Sequence, residues 1–489
     1  MRSRLLVPLT LAAVVVAAGL AGCSSSAEPV QPGVLSVGLA EPGTLLPADV
    51  TDPSGRLVTG ALWTPLADYD PASGKVTPRA AESISSTDRV TWTVRLRPGK
   101  FHDGTPVTAQ SYVDTWKAIA GLHWASTPVL TKSLRAKEIT AVDAKQLRIV
   151  LDRPSNQVPA WLSAPGLVPL PESVLKSRDW NGFARHPIGN GPMRLEGDWQ
   201  YGSGGKLVRV APDPSRAREI MLRVGNPAEQ YDDVKEGSLD VATTVPGERH
   251  DAMHTDFADR HAMWALPRSG YLVFPAEATR FADPTVRHAF ALGTDRGALE
   301  SGPLAHQADA AKGLLPPIVA PGERSGTCRP CTFDGPAAKS LLSQAGFAGG
   351  ATVFYESFDG TWPQALANGL SKNLGIPVTA QRKANGGKLA GPFTWELKAV
   401  TQSPSDILRG LAEAAGYTDA GFAADLNSAE TTASPEESAQ LYRIAENEAL
   451  RDLPAIPVWT GHGHAVWSAR VHDAVTTPFA GIDLTQLRD

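Results

Sequence analysis

Three small groups of side chains in this sequence have the types and spacing for chemistry. His250, His254 and His261 stand at i, i+4 and i+11, along one face if residues 248–260 are helical, with Asp251, Asp256 and Asp259 close by. Imidazoles and carboxylates at helical spacing are the donors of a divalent-metal site. Phe257 interrupts that face and no apolar stripe underlies it, so a solvated surface helix is the expected reading. His462 and His464 share one side of a strand expected over 458–468, and two imidazoles supply too few ligands for a metal or haem. Cys328 and Cys331 flank Arg329-Pro330 in a proline-rich stretch. A redox C-x-x-C opens a helix after a strand, and zinc needs two further ligands. Neither context is present, so a local disulfide of an oxidising compartment is expected. Closing so short a loop places its stabilisation at the low end of about 2–4 kcal/mol.

Enzyme signatures are missing. Neither G-x-S-x-G nor H-E-x-x-H occurs. Gly202-Ser203-Gly204-Gly205 lies between two strand-like segments, and Lys206 is followed by Leu207 where a phosphate loop needs Ser or Thr. It is expected to be a hairpin tip. No catalytic residue, metal or cofactor is expected. Trp362, on a loop entering a helix, offers a flat apolar face with one N–H donor and is a pocket candidate.

The elements that must position these residues belong to a chain of 489 residues, 42% hydrophobic and 20% charged, enough for two or three lobes of a globular protein. Gly (45) and Pro (40) favour many loops between short elements. Arg2 and Arg4 precede an apolar run from Leu5 to Leu20, too short to span a membrane. Leu20-Ala21-Gly22-Cys23 then resembles a bacterial lipobox, which implies cleavage before an acylated Cys23; the alternative is an ordinary signal with Cys23 incidental. Residues 1–22 would be the signal peptide and 23–33 a tether. Cleavage leaves 489 − 22 = 467 residues and, with two arginines gone, moves the net charge from −5 to −7. An acidic chain without a basic run excludes nucleic acid.

Val90, Trp92, Val94 and Leu96 alternate with polar residues, the period of a half-buried strand. Thr108 is placed to cap a helix carrying Tyr112, Trp116 and Ile119 on one face. Asp283-Pro284 and Asp334 open further helices, Gly346 closes the second, and Ser434-Pro435-Glu436-Glu437 forms a capping box before Leu441, Ile444, Ala445 and Glu448. Strands are expected at 147–151, 207–210, 220–224, 351–355 and 395–400. The fold class is α/β or α+β with mixed sheets.

Several blocks occur in a characteristic order. They are Glu41-Pro42-Gly43-Thr44-Leu45, Leu62-Trp63-Thr64-Pro65-Leu66, and Trp92 to Gly99 running into Phe101 to Ala109. Pro187-Ile188-Gly189-Asn190-Gly191-Pro192-Met193 follows, then Tyr271 to Phe274 with Val286-Arg287-His288-Ala289-Phe290, and last Leu453-Pro454-Ala455-Ile456-Pro457-Val458. Together they resemble the peptide/nickel-type extracellular solute-binding proteins of ABC importers. The resemblance implies a two-lobed clamshell with an extra domain: lobe I at 34–60, 188–264 and 460–489, the extra domain at 61–187, and lobe III at 265–459. It implies hinge strands near 266–269 and 457–460, and a peptide-like ligand held between lobes. The implied partners are an ABC permease and ATPase at the outer face of the cell membrane, met by a lipid-anchored monomer. One block departs. Where peptide binders carry a Trp-x-x-Asp-Tyr-like segment, this chain reads Val400-Thr401-Gln402-Ser403-Pro404-Ser405-Asp406. Asp406 is the expected substitute for the acid that takes a ligand ammonium; otherwise the ligand lacks a free N-terminus, as a blocked peptide, a sugar or a glycolipid does. With Gln402, Ser403, Trp362, Tyr271, Phe274 and Glu41, it makes up the expected ligand-contacting set. A non-transporting relative acting in envelope assembly is the competing expectation.

Overall fold

A computed structural model describes residues 31–320, 328–356, 360–383 and 389–489. Cys23 lies outside them. The strand Val34–Leu39 runs parallel to Glu219–Val224 on one side and to Val241–Ala242 on the other. The hairpin Met193–Gln200 and Gly204–Arg209 extends the sheet beyond Glu219–Val224, with Gly202 at its tip, as its flanking strand patterns required. In the other direction two long antiparallel strands, His261–Val273 and Ala455–Trp467, lead to Phe393–Lys398, Ala351–Tyr355 and Val378–Arg382. With Ala308–Ala310 paired to the second long strand, the described residues form one eleven-stranded mixed sheet. Pairing between the long strands is interrupted between Ala265 and Ser269, the segment expected to act as hinge.

A separate antiparallel sheet of four strands is ordered Ala81–Ser85, Thr91–Leu96, Gln146–Leu151, Ala136–Asp143. Trp92, Val94 and Leu96 point into its core, as their alternation demands. The helix Ala109–Leu122 covers this sheet region, with Thr108 and Ser111 bonded reciprocally at its start. Asp283 caps Pro284–Gly293 through the Thr285 N–H at 2.8 Å, and Ser434 caps Pro435–Asp452 through Glu437. In that last helix the buried face is not the expected one. Tyr442, Ala445, Glu446 and Ala449 face inward and Ile444 is 40% exposed. Glu446 can be buried because its Oε1 accepts from the Leu315 N–H at 2.9 Å, a partner that helical periodicity could not reveal.

The apolar core divides into two large clusters. One joins residues from Leu35 to Leu222 with Val241, Ala465 and the segment 471–487; the other takes residues from Tyr271 to Trp459. A third, smaller one gathers Tyr231, Val245, Met253, Phe257 and Val466.

The block from Pro187 to Met193 shows why it is written with glycines. A Cβ at Gly189 would lie 1.9 Å from the Leu62 carbonyl oxygen, and one at Gly191 2.5 Å from the Leu62 carbonyl carbon. His102 bridges this loop: its Nδ1 accepts from the Gly189 N–H at 3.2 Å, which leaves Nε2–H to donate to the Gly191 carbonyl at 3.1 Å. Gly189→Ala forces backbone apart and is expected to cost about 1–3 kcal/mol. A urea midpoint equal to the parent's would refute this packing.

Candidate functional site

A cavity of about 230 Å³ opens where the first helix, Pro53–Leu62, meets the segment 477–485 and the edge of the second apolar cluster. Thr59, Gly60, Trp63 and Tyr69 line it from the first cluster's side; Phe479, which packs against the second cluster, and Gln402, whose amide donates to the Ile318 carbonyl of that cluster, come from the other. Its volume is just under the about 300–1,000 Å³ usual for small-molecule sites. The walls are largely apolar. Asp68 and Arg79, also on its lining, pair at 2.7 Å with both side chains about half exposed. The Tyr69 hydroxyl is pushed up to about 12, first by burial and then by Asp70, and stays a neutral hydrogen-bonding group. Beside Phe479, the Arg56 guanidinium lies 5.5 Å from the ring centre. Burial draws Arg56 down to about 10, which still leaves it charged at neutral pH.

Next to this cavity runs a polar seam. The Ser403 hydroxyl donates to Gln157 Oε1 at 2.8 Å, and Trp161 Nε1 donates to Asp406 Oδ1 at 3.2 Å. Asn156 Nδ2 donates to the Ala429 and Thr432 carbonyls. Arg153 and Arg409 both meet the buried Glu430. These contacts join the loop before the short helix Val158–Leu162 to the helices Pro404–Ala415 and Ala420–Thr431.

Only Gln402, of the seven expected contact residues, reaches the described cavity. Ser403 is fully buried in the seam. Asp406, expected as an ammonium anchor, is buried and already accepts from Trp161 and from Thr401 Oγ1 at 2.5 Å. Burial raises it to about 6 against the opposing bonds from Thr401, Ser133 and Trp161. The Tyr271 hydroxyl donates to the Leu314 carbonyl at 2.7 Å, and Phe274 packs on Phe281 and Phe290; both are core. Trp362 sits at the start of the helix Thr361–Leu374 as expected, but buried, its Nε1 donating to Glu396 at 2.8 Å and its ring edge-on to Trp459. Glu41 accepts from Trp199 Nε1 and the Gly202 N–H, both at 2.7 Å, and so anchors the hairpin tip. Large aromatic and lone acidic residues serve cores and turns as readily as ligands, and these serve cores and turns. The seam residues Asn156, Gln157 and Trp161 were not anticipated. Their signal was a pair of amides between Pro154 and Pro159, too polar for an idle loop.

Cys328 and Cys331 are joined in a disulfide, with Cα atoms 5.2 Å apart. The two histidine groups, separate in sequence, meet. The helix is confined to His250–Phe257, buries Met253 and Phe257, and gives way to a strand at His261, so it is packed and not a free surface helix. Ring centres lie 5.1 Å apart for His250–His464, 4.8 Å for His254–His261 and 4.5 Å for His462–His464, and His306 stacks on His250 at 5.1 Å. Burial first, then His462 and His250, pushes His464 down to about 3.

The chain belongs to the bacterial extracellular solute-binding proteins, family 5, whose middle-region model matches residues 75–390. Its fold is the two-lobed clamshell of periplasmic binding proteins, and the family defines a solute-binding protein of peptide-type ABC importers acting outside the cytoplasm. The glutathione-binding protein GsiB of Escherichia coli (strain K12) is 25% identical over 483 residues, 90% of each chain. HbpA2 from Haemophilus parasuis superposes with a TM-score of 0.77 at 18% identity, covering 93% of this chain and 99% of that one. The Escherichia coli murein tripeptide binding protein MppA gives 0.70 at 19% identity, covering 93% and 98%. No helix among the described residues is long and apolar enough to cross a membrane.

Proposed function

We propose that this protein captures a short peptide, two or three residues long, between its lobes and passes it to an ABC permease and its ATPase. The lobes would be those read from the sequence: 34–60, 188–264 and 460–489 with the extra domain 61–187, facing 265–459. The observation that carries the reading is the cavity itself, lined by residues of the first apolar cluster and reached from the second by Phe479 and Gln402. Closure of two walls on one solute is how such a fold signals occupancy, because a ligand touching both sides favours the closed state by its differential affinity. Two similar proteins are named for tripeptides, glutathione and a murein tripeptide, which agrees with a small space.

Asp406 is committed to the seam, so the peptide's termini need other partners. The exposed Asp68–Arg79 pair offers one charge of each sign at the cavity, and a charge-assisted bond to either terminus is worth about 1.5–3 kcal/mol. Cys23 would carry the lipid that holds a monomer at the outer face of the membrane.

Native mass spectrometry of the acyl-free 467-residue form tests this, with Gln402→Ala beside it. A recurring series of di- or tripeptide masses on the parent is expected. Loss of one amide hydrogen bond by the variant should weaken binding about tenfold, or about 1–1.5 kcal/mol. A single sugar or lipid mass, or equal peptide affinity in both forms, would overturn the reading.

A further inference from the structure

We propose that the histidine cluster is a proton-operated latch: holding one proton, it ties the segment 302–309 to the strand Ala455–Trp467 and seats His306 against His250 of the helix His250–Phe257, and a second proton releases it. The first proton is assigned by donor chemistry. His462 Nε2 lies 2.8 Å from the His306 carbonyl oxygen and its Nδ1 lies 3.0 Å from Asp309 Oδ2. The Nε2 contact is a hydrogen bond to an acceptor, and Nδ1 faces the carboxylate at ion-pair distance without an aligned hydrogen bond, a setting that favours the imidazolium. Burial opposes that charge, but Asp309 and the His306 carbonyl override it and hold the group above its ordinary value.

The latch has a mechanical place. His462 and His464 lie on one long strand and His261 on the other, just before the pairing between them is interrupted at residues 265–269. His306 and Asp309 come from the turn whose Leu304 and Ala308 pack into the second apolar cluster. Met253 and Phe257, on the helix of His250 and His254, belong to the third. Gln307 Nε2 adds a bond to the Val245 carbonyl at 3.2 Å, and its own carbonyl takes the His462 N–H at 3.2 Å.

Every neighbour of the charged ring bears on its response. From its own strand comes His464, 2% exposed, with both ring nitrogens buried and unpartnered. The helix supplies His250, His254 and Asp251, the other long strand His261, and the turn His306 and Asp309, backed by Glu300 and Lys312. His250 Nδ1 and His261 Nδ1 are also buried without a partner. Among the described residues no three His, Cys, Asp or Glu are grouped to hold a metal ion. The His464 nitrogens resist protonation, and a second imidazolium at His250, which burial and then His306 and His254 disfavour, would lie 6.4 Å from His462. Like charges at about that distance lower the contact's population about tenfold or more, even when partly screened. In the other direction, loss of the His462 proton as pH rises through its raised value sets a lone pair against the carboxylate or the carbonyl and also loosens the turn.

Hydrogen exchange of the 302–309 amides in the ligand-free 467-residue protein, corrected for intrinsic rates, reads the latch directly and needs no ligand. Protection should be greatest near neutrality and fall about tenfold or more by about pH 5. His250→Gln removes the ring that would take the second proton, leaves the bonds of His462 to the turn untouched, and should hold its protection in acid. His462→Gln should lose protection already at neutral pH. Three results would overturn the latch: acid leaves wild-type protection unchanged, the His250 variant opens as the parent does, or one equivalent of Zn²⁺ binds the cluster and silences its titration.

Discussion

Glu430→Ala should lower the unfolding free energy by about 3–5 kcal/mol, the cost of removing one member of a buried ionic cluster. Glu430 is 2% exposed. Its Oε1 accepts from Arg409 Nε at 2.6 Å and from the Ser405 hydroxyl in a short bond, and its Oε2 faces Arg153 at 3.2 Å. Its backbone carbonyl takes the Asn156 N–H at 2.7 Å, so the residue fastens both sides of the seam. Alanine leaves two half-buried guanidinium groups facing each other and strands the Ser405 hydroxyl. Glu430→Gln keeps one carbonyl acceptor for Arg409 and Ser405 but removes the whole negative charge, and should cost less than alanine because that hydroxyl and guanidinium stay bonded. Urea titration of the three proteins at neutral pH reads the order directly. A loss below about 1 kcal/mol for alanine would mean that the seam is screened like a surface pair.

Asp406→Asn should gain on the parent as pH rises, by up to about 3 kcal/mol between acid and mildly alkaline conditions. The carboxyl is raised from 3.8 to about 6, chiefly by burial. A raised acid contributes stability that is fully present below the unfolded value of 3.8 and is lost as pH climbs through about 6. Above that, the parent carries a charge in the seam that the unfolded chain would give to water. Asparagine has no proton to lose, and its carbonyl still accepts from Trp161 while the Thr401 hydroxyl turns to accept from its amide. Plotting the stability difference between the two proteins against pH isolates this one group. A flat plot would mean that Asp406 is solvated, and would return it to the candidates for binding a ligand amine.

What could be read without coordinates is local or periodic. Thr108, Asp283 and Ser434 cap the expected helices because a cap needs only a hydroxyl or carboxylate beside a backbone N–H two or three residues on. Trp92, Val94 and Leu96 face one core because a strand alternates wherever it sits. The ordered blocks carried the family, and the glycines at 189 and 191 carried a close backbone approach whose partner they did not name. Contact across the chain was illegible. Trp161 and Asp406 are 245 residues apart and Gln157 and Ser403 246, and neither pair has a spacing that periodicity can register. Side-chain type misled at Tyr271, Phe274 and Trp362, since a ring with a polar tip suits a pocket or a core equally, and only the neighbours choose. The same holds for the histidines. Residue order wrote them as two minor groups; the pairing of two long strands and one turn made them a single charged cluster, because proximity there is set by hydrogen-bond register between distant segments.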